Sequence, residues 1–284
     1  MSTCCGDRSG PGAGARAGEE PVPAPDSPRG GDLVFVADAH LRPGHAEVGR
    51  FVSFLADIRA SASVLFLLGD LFDTWFGSPD LQKEHHLRVV AALREQVRAG
   101  VRIRFVEGNR EFRIARGFLG DPFERVAADH LLEPHGGHHF FLTHGDLINV
   151  HDRQYRLWRR FAKSPLTLSL FGALPASARH RIIDRLERTL QGTNHRHRKR
   201  FPLAECREFA ARAFARGADV IVLGHFHEER VLRFPGRGGD RLLFVVPAWC
   251  EGGGYLRFRG GEGEFIWADG RRLPGREIAL AVPG

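Results

Sequence analysis

Five short segments of this 284-residue chain end an apolar run and then offer side chains that bind cations. Asp38-Ala-His40 follows Leu33-Val-Phe-Val-Ala37, and Asp70 follows Val64 to Leu68 and the turn residue Gly69. Gly108-Asn109-Arg110 follows Val101 to Val106, His144 follows His138 to Thr143, and Gly224-His225-Phe226-His227 follows Val220 to Leu223. A carboxylate at the end of an apolar strand is costly unless something cationic meets it. In extended backbone, residues two apart share a face, so Asp38 and His40 are expected to reach one ion, and His225 and His227 repeat that geometry. A single D-x-H or H-x-H is weak; the ordered set of five is specific. The candidate ligands are Asp38, His40, Asp70, Asn109, His144, His225 and His227. Carboxylate, imidazole and one amide, with no thiolate, suit Mn, Fe(II) or Zn and argue against a structural zinc site. These side chains are too many for one ion, and with Asp70 shared they divide between two. Two ions roughly 3.5–4 Å apart clamp an in-line phosphoryl displacement. The expected chemistry is metal-assisted hydrolysis of a phosphate ester or anhydride.

The frame that must position these groups reads as β-α-β. Strands are expected at 33–37, 64–68 and 101–106, with helices at 45–60 and 79–98 between them. The first helix is carried by Val48, Phe51, Val52, Leu55 and Ile58; the second has Ser78 at its N-cap, Pro79 in its first turn and Gly100 past its end. That rhythm implies parallel strands, whose carboxyl ends gather the chemistry. A strand at 138–143 follows. Residues 152–190 carry no strand signal and mix Arg156, Arg159 and Arg160 with Tyr155, Leu157, Trp158 and Phe161. Leu166, Leu168, Leu170, Phe171 and Leu174 come next. This stretch is read as a helical insertion standing over the site, the alternative being an extra hairpin core. A helix at 202–216 and a strand at 220–223 are followed by segments 230–234, 242–247 and 254–258, expected as antiparallel strands. One domain is expected over 31–270, with the insertion at about 152–200, a disordered Gly/Pro/Ala-rich tail at 1–30 and a C-terminal tail at 271–284.

At 43% hydrophobic and 26% charged residues, the chain can build one sizeable core. It has no apolar run of membrane-spanning length and no signal-peptide core, which predicts a cytoplasmic protein. Cys4, Cys5, Cys206 and Cys250 lack finger spacing, and the last two read as small buried hydrophobes. The net charge of +7 is carried by arginine, since lysine occurs only at Lys83, Lys163 and Lys199. The basic run His195 to Arg200 is either a solvated face or a contact for phosphate or lipid headgroups. His85, His86, His135, His138, His139 and His151 match no motif and read as surface or structural. Asp73 is expected to support the turn after Asp70, Asp146 to orient a neighbour, and Trp75 and Trp249 to pack around the site.

The ordered set D-x-H, GD, GN[H/R][D/E], H and G-H-x-H resembles the calcineurin-like metallophosphoesterases over roughly residues 32–260. The resemblance implies an α/β fold, an α-β-β-α sandwich of mixed sheets with a helical lid insertion. Gly69-Asp-Leu-Phe-Asp-Thr-Trp-Phe-Gly77, Gly108-Asn-Arg110 and Val246-Pro-Ala-Trp249 look like the branch that hydrolyses UDP-2,3-diacylglucosamine in lipid A synthesis. That resemblance implies one divalent ion, Mn in the first instance, on Asp38, His40, Asp70 and His227, and a second on Asp70, Asn109, His144 and His225. The catalytic set would be Arg110, Asn109 and His144, with Arg110 opposing charge that develops on the phosphoryl group. Water activated by the ions would attack the α-phosphorus, giving UMP and 2,3-diacylglucosamine 1-phosphate. The lid would hold the acyl chains of this nucleotide-linked sugar. Asp152, Tyr155 and Asn194 align with the family's positions, and His225 is placed at the substrate. His197, Arg198 or Lys199 stands where a lysine is usual, and Glu111 where Asp is usual. The protein is then expected at the cytoplasmic face of the inner membrane, peripherally, with no nucleic-acid partner. The alternatives are another calcineurin-like phosphodiesterase or phosphatase acting on a nucleotide or other phosphoester, and a non-catalytic scaffold.

Overall fold

The computed structural model of the protein describes residues 31–44, 46–191, 201–236 and 239–267. The expected tails, and Asn194, His197, Arg198 and Lys199 with the rest of the basic run, lie outside the described residues. In chain order the strands begin with β1 (Asp32–Val36), β2 (Ala62–Leu67), β3 (Trp75–Phe76), β4 (Arg102–Val106), β5 (Glu111–Phe112) and β6 (Arg125–Ala127). They continue as β7 (His130–His135), β8 (His138–Thr143), β9 (Val220–Leu223), β10 (Arg230–Phe234), β11 (Arg241–Val245), β12 (Leu256–Arg259) and β13 (Glu264–Trp267). The helices are α1 (Ala46–Ile58), α2 (Glu84–Arg98), α3 (Ile114–Phe118), α4 (Arg153–Ala162), α5 (Pro165–Ala173), α6 (Ala176–Gln191) and α7 (Leu203–Ala215).

Two mixed sheets carry the fold. One runs β13-β12-β1-β2-β4-β6 and the other β10-β11-β9-β8-β7, while β3 and β5 form a small separate pair. Alternation along β1 fixes the layers. Leu33 and Phe35 join Phe66, Phe140, Leu142, Val222 and Phe244 in the core between the sheets. Val34 and Val36 point the other way, onto Phe51, Leu55, Val89 and Leu93 of α1 and α2. On the far side, Ile221, Leu223, Leu243 and Val245 meet Cys206, Ala210 and Phe214 of α7. Period-two strands with both faces apolar require a covering layer on each side, and the result is the expected α-β-β-α sandwich. Phe35 stacks on Phe66 at 5.1 Å and on Phe140 of the other sheet at 6.0 Å, joining the two sheets through one aromatic column.

The parallel pairing of β1, β2 and β4, and of β8, β9 and β11, matches the β-α-β reading. Three expectations need correction. The helix expected at 79–98 is a 3-10 turn at Pro79–Leu81 followed by α2. Gln82 breaks it, because its side chain accepts from Trp75 Nε1 at 2.9 Å and donates to the Phe76 and Ser78 carbonyls. Ser78 makes no side-chain cap and instead donates to Asp80 Oδ1. The strand expected at 254–258 does not extend the β10–β11 hairpin, since β12 crosses to the other sheet and lies antiparallel to β1. Cys206 is buried as expected, but Cys250 is only partly so.

Candidate metal centre

The candidate ligands sit on loops at the carboxyl ends of β1, β2, β4, β8 and β9, which brings both sheets' contributions to one rim. Six non-glycine residues among those described have positive φ, and five of them are Asp38 (53°), His40 (42°), Asp70 (53°), His225 (70°) and His227 (54°). Asp38-x-His40 and His225-x-His227 are therefore not the extended pairs expected from their spacing; each is coiled through the left-handed region. Such conformations cost on the order of 1–3 kcal/mol each and persist where surrounding contacts over-determine them.

Those contacts are visible. Glu111, fully buried, accepts backbone N–H groups of Asp70 (3.0 Å), Leu71 (2.9 Å) and Gly108 (2.7 Å). One carboxylate thereby pins the loops that carry Asp70 and Asn109. Burial and the charge of Asp70 push the Glu111 carboxyl up to about 8. Asp38 Oδ2 accepts the His225 N–H at 2.6 Å, tying the two sheets' loops together. Gly69 makes the approach possible, because a Cβ there would lie 2.7 Å from Gly108 Cα.

Within this scaffold the side chains form two groups. In the first, His40 Nε2 and His227 Nε2 face each other at 3.4 Å and lie 3.9 and 3.5 Å from Asp38 Oδ1. Behind them, carboxylates face the other ring nitrogens: Asp73 Oδ1 is 3.5 Å from His40 Nδ1, and Glu251 Oε1 is 3.1 Å from His227 Nδ1. Asp73, expected to support the turn after Asp70, instead turns both carboxylate oxygens to the loop after β1, with Arg42 Nε at 2.7 Å from the one that does not face His40. In the second group, His144 Nε2 lies 3.0 Å from Asn109 Oδ1, 3.2 Å from His225 Nδ1 and 3.6 Å from Asp70 Oδ1. Asp70 stands between the groups, its Oδ2 3.8 Å from His40 Nε2. The H-x-H pair is split, His227 to the first group and His225 to the second.

The donor set fits cations. Asp38 Oδ1 is buried with no hydrogen-bond partner. His144 Nδ1 meets the Leu68 carbonyl at 2.8 Å and so carries the proton, which leaves Nε2 as a lone pair among other acceptors. Donors held around one ion at about 2.0–2.2 Å lie roughly 3–3.6 Å from each other, close to the spacings seen here. Asn109 has two orientations: with Oδ1 toward the group it offers a ligand oxygen, and rotated it donates to Asp70 Oδ2 and His144 Nε2 while accepting from Arg110 Nε. The charges agree. Burial works against a charged His227, but Asp38 and Glu251 outweigh it and raise its pKa to about 9. Burial also opposes the Asp38 carboxylate, yet His227, His144 and His40 hold it well below the usual range. His225 goes the other way, down to about 4, through burial and the nearby His144.

Arg110 lies against Asp70, with its backbone N–H donating to Asp70 Oδ1 at 3.0 Å and its Nε 3.7 Å from Oδ2. Asp152, expected at the substrate, caps α4 by accepting the Tyr155 N–H at 3.0 Å. Asp146 bonds Tyr155 Oη at 2.6 Å and pairs with Arg159. Glu111 stood in the sequence only as a departure at an Asp position, and Glu251 carried no signal beyond following Trp249. Of the unassigned histidines, His85, His86 and His135 are buried structural groups. Among the described residues of the insertion, α5 buries none, and Leu157 (70%), Phe161 (68%), Leu166 (71%) and Leu170 (62%) are exposed, whereas Ile183 of α6 is buried.

The family model described as calcineurin-like phosphoesterase matches residues 32–229. A UDP-2,3-diacylglucosamine hydrolase of Nitrosococcus oceani is 29% identical over 221 residues, 77% of this chain and 87% of that protein. The protein of the same name from Edwardsiella ictaluri is 30% identical over 228 residues, covering 79% of this chain and 87% of the relative. That of Pseudomonas paraeruginosa is 27% identical over 214 residues, 74% and 89% of the two chains. The match spans every ligand-bearing loop of the rim, from β1 through His227, and the chain therefore belongs to the calcineurin-like phosphoesterase family of hydrolases.

Proposed function

We propose that the protein hydrolyses the pyrophosphate bond of UDP-2,3-diacylglucosamine, giving UMP and 2,3-diacylglucosamine 1-phosphate. One observation carries the lipid part of this reading. Beside a rim of carboxylates and imidazoles, α4 and α5 hold Leu157, Phe161, Leu166 and Leu170 out to solvent. Covering a large aliphatic or aromatic side chain is worth roughly 1.5–3 kcal/mol. A substrate with two acyl chains supplies that cover, and a bare nucleotide does not. The relatives named for the same substrate support the reading.

Two divalent ions, manganese in the first instance, would be held by Asp38, His40, Asp70 and His227 and by Asp70, Asn109, His144 and His225. When bound they supply an activated water and positive charge against the phosphoryl oxygens. The protein's own groups do the rest. Arg110, permanently charged and buried beside Asp70, faces charge that develops on the phosphoryl group. Asp73 and Glu251 orient the rings of His40 and His227 from behind. Asn194, His197, Arg198, Lys199 and Asp152 are proposed on the substrate side, Asp152 by setting the start of α4. Residues 153–174 contain Arg153, Arg156, Arg159, Arg160 and Lys163 and no acid. Arg153, Arg156 and Arg160 are exposed beside the apolar side chains, while Arg159 and Lys163 turn inward; the outer face suits peripheral attachment to the anionic cytoplasmic leaflet of the inner membrane, and no described helix is long and apolar enough to cross a membrane.

The test is UMP release from UDP-2,3-diacylglucosamine with added manganese, beside the same sugar nucleotide lacking acyl chains. Strong preference for the acylated substrate is expected. Equal rates would remove the lipid reading and leave a nucleotide phosphodiesterase using the same residues.

A further inference from the structure

Tyr155, Arg159 and Lys163 follow one another at intervals of four residues along α4 and its C-cap, which places them on one face of the helix. All three reach the loops of the second ligand group. Tyr155 Oη donates to Asp146 Oδ2 at 2.6 Å, and Arg159 Nε lies 2.5 Å from the same oxygen. Lys163 Nζ donates to the Gly108 carbonyl at 2.7 Å and sits 3.3 Å from Glu107 Oε2. Glu107 Oε1 in turn accepts the Ile114 N–H at 2.7 Å, so the tie continues past Asn109 to the start of α3.

These ties land beside glycines. Asp146 is separated from His144 only by Gly145, at φ 110°, and Asn109 directly follows Gly108. A glycine beside a ligand constrains the ligand's direction less than another residue would, so side-chain contacts add to those of Glu111 with Gly108 and of the Leu68 carbonyl with His144. Tyr155, Arg159 and Lys163 land beside the second group, whereas His40 and His227 of the first face Asp73 and Glu251. We propose that the polar stripe of α4 is a positioning device for one of the two ion sites: Arg159, through Asp146, sets His144, and Lys163, through Gly108, sets Asn109. The helix that turns its apolar face outward would thereby hold half of the metal centre with its inner face. This rests on the two-ion reading, and its test separates the two.

Wild-type protein, Lys163→Met, Lys163→Arg, Arg159→Met and the exposed control Arg160→Met are dialysed against buffered manganese over a range of free concentrations. Bound ions per chain are counted, and the electron paramagnetic resonance spectrum distinguishes coupled pairs from single ions. Wild type and Arg160→Met are expected to bind two. Lys163→Met and Arg159→Met are expected to bind one ion with the wild-type constant and the other about 10–100-fold more weakly, the range for partners that orient ligands. Lys163→Arg, which keeps the charge, is expected to recover most of the loss. Two ions bound with unchanged constants in both Met variants would overturn the proposal. Parallel weakening of both ions would also overturn it, because α4 would then act on the fold as a whole. If wild type itself binds no pair of ions, the two-ion reading fails, and this proposal with it.

Discussion

Helices α1 and α4 are both amphipathic, and they face opposite ways. α1 buries Val48, Phe51, Leu55 and Ile58 against the sheet, the ordinary arrangement for a surface helix. α4 buries Arg159 and leaves Leu157, Trp158 and Phe161 to solvent. Periodicity gives the two faces of a helix but not their direction. Direction depends on what the helix abuts: a strand's apolar face for α1, a rim of ligand loops for α4. The inversion goes with a polar centre on the inner side of α4 and an uncovered apolar face on its outer side.

The most severe way to break that comparison is to remove the centre. Asp70→Ala takes away the group between the two ligand sets, and His144→Ala takes the core of the second. Each is expected to lower kcat by on the order of a thousandfold or more, the scale of deleting a group that faces transition-state charge. The measurement is UMP release with manganese in excess. Retained turnover in metal-depleted buffer would mean that the inner face of α4 is polar for some other reason.

A second cut goes through α1. Leu55 is fully buried, so Leu55→Ala leaves a cavity and is expected to cost about 2–5 kcal/mol, read by urea unfolding. A loss under about 1 kcal/mol would mean that the α1 layer is less tightly packed than its face-in arrangement requires.

Histidine draws the same contrast on a smaller scale. His227 faces Asp38 and Glu251, and its pKa rises to about 9 although burial opposes the charge. Its contribution to the stability of the ion-free protein is full below 6.5 and lost as pH climbs through about 9. His86 packs against Phe72 at 4.4 Å, and burial, then the charges of His85 and Lys83, push its pKa down to about 2. The folded state refuses a proton that the unfolded chain accepts below pH 6.5, so stability falls as pH drops from 6.5 toward 2. At pH 5 that amounts to roughly 2 kcal/mol, at about 1.4 kcal/mol per unit. His86→Phe removes the group, and the fall in stability between pH 6.5 and 5 is expected to shrink by that amount. An unchanged slope would place the acid sensitivity elsewhere.

Much of this was legible in the residues. Central strands such as β1, β2, β4 and β9 announce themselves as continuous apolar runs because both faces are covered. The unforeseen β6, β7 and β13 are three of the four sheet edges. Edge strands need no such run, and β7 even contains Pro134, which an edge tolerates and a central strand does not. The ligand set was legible because its glycines and polar residues interrupt apolar runs. Its left-handed backbone was not, since Asp and His enter that region only when partners such as Glu111 and Asp38 hold them there. The break before α2 was hidden for the same reason: Gln82 finds its partners in Trp75 and Phe76, a contact that propensity does not encode.

The gentlest change should be the most telling. Leu157 and Phe161 lie four residues apart on the outward face of α4. Exchanging either for serine removes little buried area, so stability is expected to stay within about 0.5 kcal/mol of wild type, unlike Leu55→Ala. If that face receives acyl chains, KM for the diacylated substrate should nonetheless rise several-fold, while the rate on a short soluble phosphodiester stays constant. The ratio of the two activities is the quantity to measure, because it cancels differences in active fraction between preparations. A stability loss matching Leu55→Ala would show that α4 is packed in the ordinary sense. An unchanged ratio would show that its apolar face meets something other than the substrate.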